Sequence, residues 1–201
     1  LGPLLVLSGL AGAVLLAQPD TGTFMVILAA GLAMFIAAGG PWKHVLYLLL
    51  AGTGSVAAMA YWKPYVMSRI MTFINPATDP LGAGFQIQQS LIAVGSGGVF
   101  GRGFGQSIQK FSSLPQPIGD SIFAVFSEEF GFVGALALIL IFIFFALRGL
   151  KIAAASRDSF GLLLSVGIIV LIVGQSFINM GSMLGILPLT GVPLLFVSHG
   201  G

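Results

Sequence analysis

Apolar runs at or near membrane-spanning length dominate this chain, and its polar positions gather in the gaps between them. A helix that crosses the hydrocarbon core needs about 20 mostly apolar residues, with about 17 as a practical minimum. Reading for that length predicts spans at 1–17, 23–38, 44–60, 121–147 and 160–179, with a sixth beginning at 184–198. The apolar stretch 86–99 is only about 14 residues long, a length more typical of re-entrant or interfacial segments than of spans. The predicted fold is therefore an all-α polytopic membrane protein, a single membrane domain with about six transmembrane helices. The chain opens at Leu1 without Met and stops at Gly201 directly after an apolar run, so both ends read as cut.

Composition agrees with lipid as the solvent. Apolar residues make up 57% of the 201 positions and charged residues 7%, against roughly 25% charged in a soluble domain. The absence of cysteine excludes a disulfide framework and any Cys-based zinc site. A net charge of +2 with no basic arm gives no reason to expect a nucleic-acid partner.

Short loops set the direction of insertion. The 39–43 loop carries Lys43, and the 149–159 loop carries Lys151 and Arg157 beside Arg148. If both are cytoplasmic, parity puts the long segment 61–120 outside. That segment holds Lys63, Arg69, Arg102 and Lys110, so the basic residues tie at four on each side. Long loops count little in this rule, and the short loops decide.

The outer segment is where chemistry is expected. An irregular stretch of that length is unusual and normally functional or disordered. This one carries Tyr61, Trp62, Tyr65, Phe73, Phe85 and Phe100, rings that need burial, so it should fold onto the helices and form a cavity at the membrane surface. A turn is predicted at 75–80 from its Pro and Asx residues. The glycine run 95–105 fits neither a dinucleotide fingerprint nor a P-loop. It reads either as a close-packed or flexible loop, or as backbone N–H groups brought near a phosphate.

Asp120 follows the rigid turn Leu114-Pro115-Gln116-Pro117-Ile118-Gly119 and immediately precedes a span. It could cap that helix or act as a carboxylate at its outer mouth. Glu128 would sit about 12 Å deeper and within about 80° of the Asp120 face, with Glu129 on the opposite side. Acidic residues inside a span are normally paired or pathway-lining, so these two read as structural braces or as catalytic groups. Asp20 carries the same choice between capping the second span and lining the cavity. Arg69, Arg102 and Lys110 read as solvated or headgroup contacts, or together as a site for a pyrophosphate. His44 and His199 are too far apart in the pattern to share a metal. Phe142, Phe144 and Phe145 read as lipid-facing bulk.

These motifs resemble the SEDS family (shape, elongation, division and sporulation proteins) along the whole chain. The resemblance is carried by Gln18-Pro19-Asp20-Thr21-Gly22-Thr23, by Phe73-Ile74-Asn75-Pro76, and by Asp79-Pro80-Leu81-Gly82-Ala83-Gly84-Phe85-Gln86. It continues through Gln89 to Gly98, Leu114 to Asp120, Ile122-Phe123-Ala124, Glu128 to Gly134, Gly191-Val192-Pro193 and Val197 to Gly201. The direct run from Gly103 to Lys110 is more similar to the division and sporulation (FtsW-like) branch than to the elongation (RodA-like) branch. Ile118-Gly119 stands where the family usually has His-Thr, Ser112 where division-type members often have a glutamate, and Gln116 where a glutamate is usual. The aspartate is retained as Asp120.

The resemblance implies ten spans, of which this chain would cover the fifth to the start of the tenth. It implies a multi-pass protein of the bacterial cytoplasmic membrane that polymerises lipid II into peptidoglycan glycan strands at the outer face. A 4-hydroxyl on one disaccharide attacks, and undecaprenyl pyrophosphate leaves the growing chain. Asp120 would be the catalytic base. Arg69, Arg102 and Lys110, with Gln89, Ser96 and Gly97 of the loop motif, would bind substrate. A divalent cation would suit the pyrophosphate, although the sequence shows no ligand set for one. Implied partners are the undecaprenyl-pyrophosphate-linked glycan, membrane lipid, a class B penicillin-binding protein transpeptidase, and division or elongation machinery. A lipid II flippase, or a division scaffold without catalysis, would use the same spans and the intramembrane Glu128.

Overall fold

The computed structural model describes residues 2–18, 20–62, 64–112 and 114–199. Pro19 and Gly200-Gly201 of the family motifs, Lys63 of the outer basic residues, Leu1, Ser113 and the side chain of Trp62 lie outside the described residues. Among the described residues there are eight α-helices and no strand. They are α1 (Gly2–Ala17), α2 (Thr21–Ala37), α3 (Trp42–Trp62), α4 (Pro64–Ile74), α5 (Ala83–Ser96), α6 (Gln109–Ser112), α7 (Ile122–Ala154) and α8 (Ser159–Met183). A 3-10 turn at Pro76–Thr78 stands between α4 and α5. Two helices, α7 and α8, are long and apolar enough to cross a membrane, and α2 is a shorter apolar helix.

The chain forms two compact units, Leu1–Met67 with Phe144–Gly174, and Ser68–Ile143 with Gln175–Gly201. In the first, α1 packs on α2 and α2 on α3. Asp20 proves to be a cap: its carboxylate accepts from Thr23 N at 3.0 Å and satisfies a free amide of the first turn of α2. Asp158 does the same for α8, accepting from Gly161 N at 2.9 Å. Phe24, Val26 and Ala30 give α2 its buried side.

The second unit carries most of the chemistry-bearing residues. Its core joins Ile87 of α5, Phe123 and Phe142 of α7, and Met180 and Met183 of α8. Phe142 is only 5% exposed, so it is a core residue and not lipid-facing bulk; Phe144, at 62%, fits the lipid-facing reading. The segment expected to be irregular is largely helical, through α4, α5 and α6. The 75–80 turn forms as expected: Asn75 Oδ1 accepts from Ala77 N at 3.2 Å, and Asp79 takes the Gly82 and Ala83 amides at 3.0 and 2.8 Å. Tyr61 and Phe100 are not buried by protein, at 85% and 83% exposure. An aromatic ring needs shelter from water, and a membrane interface supplies it as well as a protein core does.

Two elements depart further from the sequence reading. The run 184–198, expected to open a sixth span, is turns and irregular backbone. Pro188 and Pro193 withhold amide donors there, and Gly185 and Gly191 turn the chain at φ 67° and 72°. In addition, α7 is broken at Gly131, whose φ of 68° and ψ of −166° are not helical. An unbroken helix would bond Phe132 N–H to the Glu128 carbonyl and Val133 N–H to that of Glu129. Instead, Phe132 N and Val133 N donate to Gly98 O and Val99 O at 2.9 and 3.1 Å. The Glu128 and Glu129 carbonyls accept from Arg102 N and Gly103 N, both at 3.0 Å. The glycine run is thus spliced into the helix break, and only glycines allow the approach. A Cβ on Gly97 or Gly101 would collide with the Ser127 or Glu129 carbonyl, and one on Gly131 would stand 2.6 Å from Val99 O.

The conformation of Gly131 belongs to a region that is essentially glycine-only, with a strain of about 1–3 kcal/mol for other residues. Gly131→Ala should therefore lower stability by at least about that amount. Gly174→Ala is the control, because its Cβ would meet only Val170 at an ordinary 3.9 Å. It should be neutral, or stabilising by up to about 1 kcal/mol. Thermal melting of the purified protein in detergent distinguishes the two.

Candidate active site

The segment leading into α7 is fixed one carbonyl at a time. His199 N donates to Ile118 O at 2.9 Å, the Ser198 hydroxyl to Gly119 O at 2.9 Å, and Asn179 Nδ2 to Asp120 O at 2.7 Å. Asn179 also bonds Val192 O at 2.8 Å, so one buried amide ties the end of α8 to the segment before α7 and to the run after α8. Ser121 is locked as well, donating to Pro115 O at 2.8 Å and accepting from Gln86 Nε2 of α5 at 3.1 Å. The backbone that presents Asp120 therefore has little freedom to move.

Its carboxylate is left out of this scheme. No hydrogen bond reaches it among the described residues, and the first turn of α7 is closed by the Ser121 carbonyl, which accepts from Ala124 N at 3.0 Å. The capping reading of Asp120 does not hold. The side chain is half-buried beside Gly191, where an added Cβ would lie 3.7 Å from both Asp120 Oδ2 and Arg69 Nη2. Burial pushes the Asp120 carboxyl above its ordinary value, and the nearby Arg69 guanidinium pulls it part of the way back. The result is a carboxylate with increased proton affinity beside a cation.

A second cluster forms around Glu128, which is 0% exposed. Its Oε2 accepts from the Ser107 hydroxyl at 2.6 Å and Gln109 N at 3.3 Å, and its Oε1 from Ile108 N at 3.1 Å. The Ser96 hydroxyl lies 3.3 Å from Oε1, and Arg102 Nε stands 3.5 Å away with its side chain still 38% exposed. Lys110 N in turn donates to Ser107 Oγ at 3.1 Å. Glu128 is therefore a brace for the loop. Glu129 is also buried, and its Oε1 has no hydrogen-bond partner among the described residues.

The sequence-derived candidates thus divide. Arg69 stands with Asp120, whereas Arg102, Ser96 and Lys110 gather around Glu128, and Gly97 packs against the α7 backbone. Gln89 sits half-buried on α5 and makes no hydrogen bond through its side chain among the described residues. Asn179, Ser198 and Gly191 were not singled out for a role from sequence. An amide closing an apolar run, four residues after Gln175, was the available signal for Asn179. An apolar cavity of about 320 Å³ lies against α7, lined by Val94, Gly98, Phe123, Ser127, Gly131 and Leu136 among others. Among the described residues no three His, Cys, Asp or Glu side chains converge.

The family profile described as "Cell cycle protein", for FtsW, RodA and SpoVE, matches residues 1–201. The chain belongs to the FtsW/RodA/SpoVE family. Stage V sporulation protein E of Bacillus subtilis (strain 168) is 44% identical to this family member over 188 residues, covering 94% of the chain and 51% of that protein. The probable peptidoglycan glycosyltransferase FtsW of Geobacter sp. (strain M18) is 39% identical, covering 99% and 54%. A solved chain from a peptidoglycan synthase complex coordinating polymerization and crosslinking superimposes with a TM-score of 0.75 at 27% identity, over 97% of this chain and 54% of that one. The chain spans about half the length of these relatives. Family membership and the two membrane-length helices together make this an all-helical membrane protein.

The raised proton affinity of Asp120 carries a signed consequence for stability. A group that binds its proton more tightly when folded contributes most below its unfolded value, about 4 for an aspartate, and loses that contribution as pH rises through the folded value. Asp120→Asn cannot charge. It should melt with the wild type near pH ~4 and match or exceed it near pH ~7.5. A variant that is markedly less stable at neutral pH would show that the carboxylate is a structural partner after all.

Proposed function

We propose that the protein of which this chain is part polymerises lipid II into glycan strands, with Asp120 as the base. The observation that carries this reading is a half-buried carboxylate that takes no hydrogen bond among the described residues, with raised proton affinity, on a backbone held by Asn179 and beside Arg69. The relatives named as peptidoglycan glycosyltransferases support the reaction type. In the step, the incoming 4-hydroxyl oxygen bonds to the anomeric carbon of the growing strand and its proton passes to Asp120. The bond from that carbon to the pyrophosphate oxygen breaks, and undecaprenyl pyrophosphate departs. A base works best when its pKa lies near the working pH, which is why burial of Asp120 matters. Arg69 stands where it can balance charge at the site, Arg102 and Lys110 supply further cations, and the apolar cavity suits part of an isoprenoid chain.

The same reading makes residues 61–120 an outer segment that carries the site, within a membrane domain whose described spans are α1, α2, α3, α7 and α8. It makes the host membrane the bacterial cytoplasmic membrane, and a class B penicillin-binding protein transpeptidase the partner that would crosslink the product. The solved neighbour from a peptidoglycan synthase complex supports such a partner.

Asp120→Asn in the full-length protein should fold, insert and lose polymerisation by at least about 100-fold, the lower range for loss of a general base. The acid limb of the wild-type pH–rate profile should lie above the ordinary carboxylate value of about 4. Arg69→Gln should move it higher, because the cation that favours the charged form is gone. Near-normal glycan synthesis by Asp120→Asn would end the assignment.

Topology has its own test, helped by the absence of native cysteine in this chain. In otherwise cysteine-free full-length protein, Ser112→Cys in the exposed outer segment should react with an impermeant thiol reagent on intact cells. Ser156→Cys, between α7 and α8, should be spared. The reverse pattern would put Asp120 on the cytoplasmic side and remove outer-face polymerisation.

A further inference from the structure

We infer that Glu128 is a positioning residue for the anionic end of the substrate, acting through Arg102 and Lys110. The inference rests on the glycosyltransferase reading and assigns a job to a buried acid that the reaction itself does not use. A fully buried carboxylate is costly unless nearly all its acceptor capacity is filled. Here it is filled from one direction in sequence, by Arg102, Ser107, Ile108 and Gln109, all belonging to the glycine run and the turn after it. Charge-assisted bonds of this kind are the strong ones. They act beside the backbone splice at Gly131, so one end of the loop is pinned by main chain and the other by the carboxylate.

The consequence falls on two cations. Arg102 is held through Nε while its side chain stays 38% exposed. Lys110 follows Ser107, whose hydroxyl gives the shortest of these bonds at 2.6 Å and whose oxygen takes the Lys110 amide at 3.1 Å. Fixing both side chains at their base lowers the ordering cost of gathering them around a pyrophosphate. Asp120 has a separate environment, set by Arg69, Gly191 and Asn179. Loss of the brace should therefore weaken substrate binding and leave the proton-transfer group as it was.

Glu128→Gln preserves shape but replaces one acceptor oxygen with a donor that cannot receive the Ser107 hydroxyl or the loop amides. In full-length protein reconstituted in liposomes, it should raise KM for lipid II at least about tenfold. Turnover and the acid limb of the pH profile should stay near wild type. Ser107→Ala, the milder change, should raise KM in the same direction, and the double variant should be no worse than Glu128→Gln alone, since both act through one contact. If Glu128→Gln fails to fold, Ser107→Ala decides. An unchanged KM in folded variants, or a fall in turnover with a shifted acid limb, overturns the inference. Lipid II affinity measured on the same preparations separates the two ideas. Glu128-dependent binding without glycan synthesis removes only the polymerase reading, and active variants with unchanged KM remove only this one.

Discussion

Backbone polar groups cannot be left open in hydrocarbon, where each unsatisfied N–H or C=O costs several kcal/mol. The break in α7 at Gly131 opens four of them, and the chain closes all four with the segment from Gly98 to Gly103. Much of the second unit depends on that exchange. It requires glycine at 97, 101 and 131, because any Cβ would strike backbone. It also brings the loop alongside the short helical piece 122–130, whose side chains include Glu128 and whose start carries Asp120. A non-helical backbone within an apolar helix is tolerated where protein covers it, and here the glycine run is the cover.

From the splice follows the division of labour between the two acids. Glu128 is saturated by donors and acts on the loop. The Asp120 carboxylate takes no hydrogen bond among the described residues and is only half-buried, and the residue is held in place through its main-chain carbonyl. A carboxylate that is fixed by its backbone, but not neutralised through its oxygens, keeps its capacity to take a proton. The turn around it is secured by Asn179 and Ser198 through carbonyl contacts that spend none of the side chain's chemistry.

Sequence determined the helical class, the membrane character and most of the helix positions, because apolar run length and scarcity of charge act locally and sum along the chain. It also determined the Asp20 and 75–80 turn chemistry, where donor and acceptor are only a few residues apart. Asp120 was legible as a candidate, through its rigid turn and its place at a helix mouth. What tertiary structure alone decided was every choice that turns on partners distant in the chain. Which donors fill the Glu128 carboxylate, how the glycine run packs against α7, and what holds the backbone at Asp120 depended on contacts with residues 20 or more positions away. The irregular path of 184–198 was hidden for the same reason. Its apolar composition matches a span, but two prolines and two left-handed glycines, with Asn179 and Gly119 as bonding partners, fold it against the segment that leads into α7.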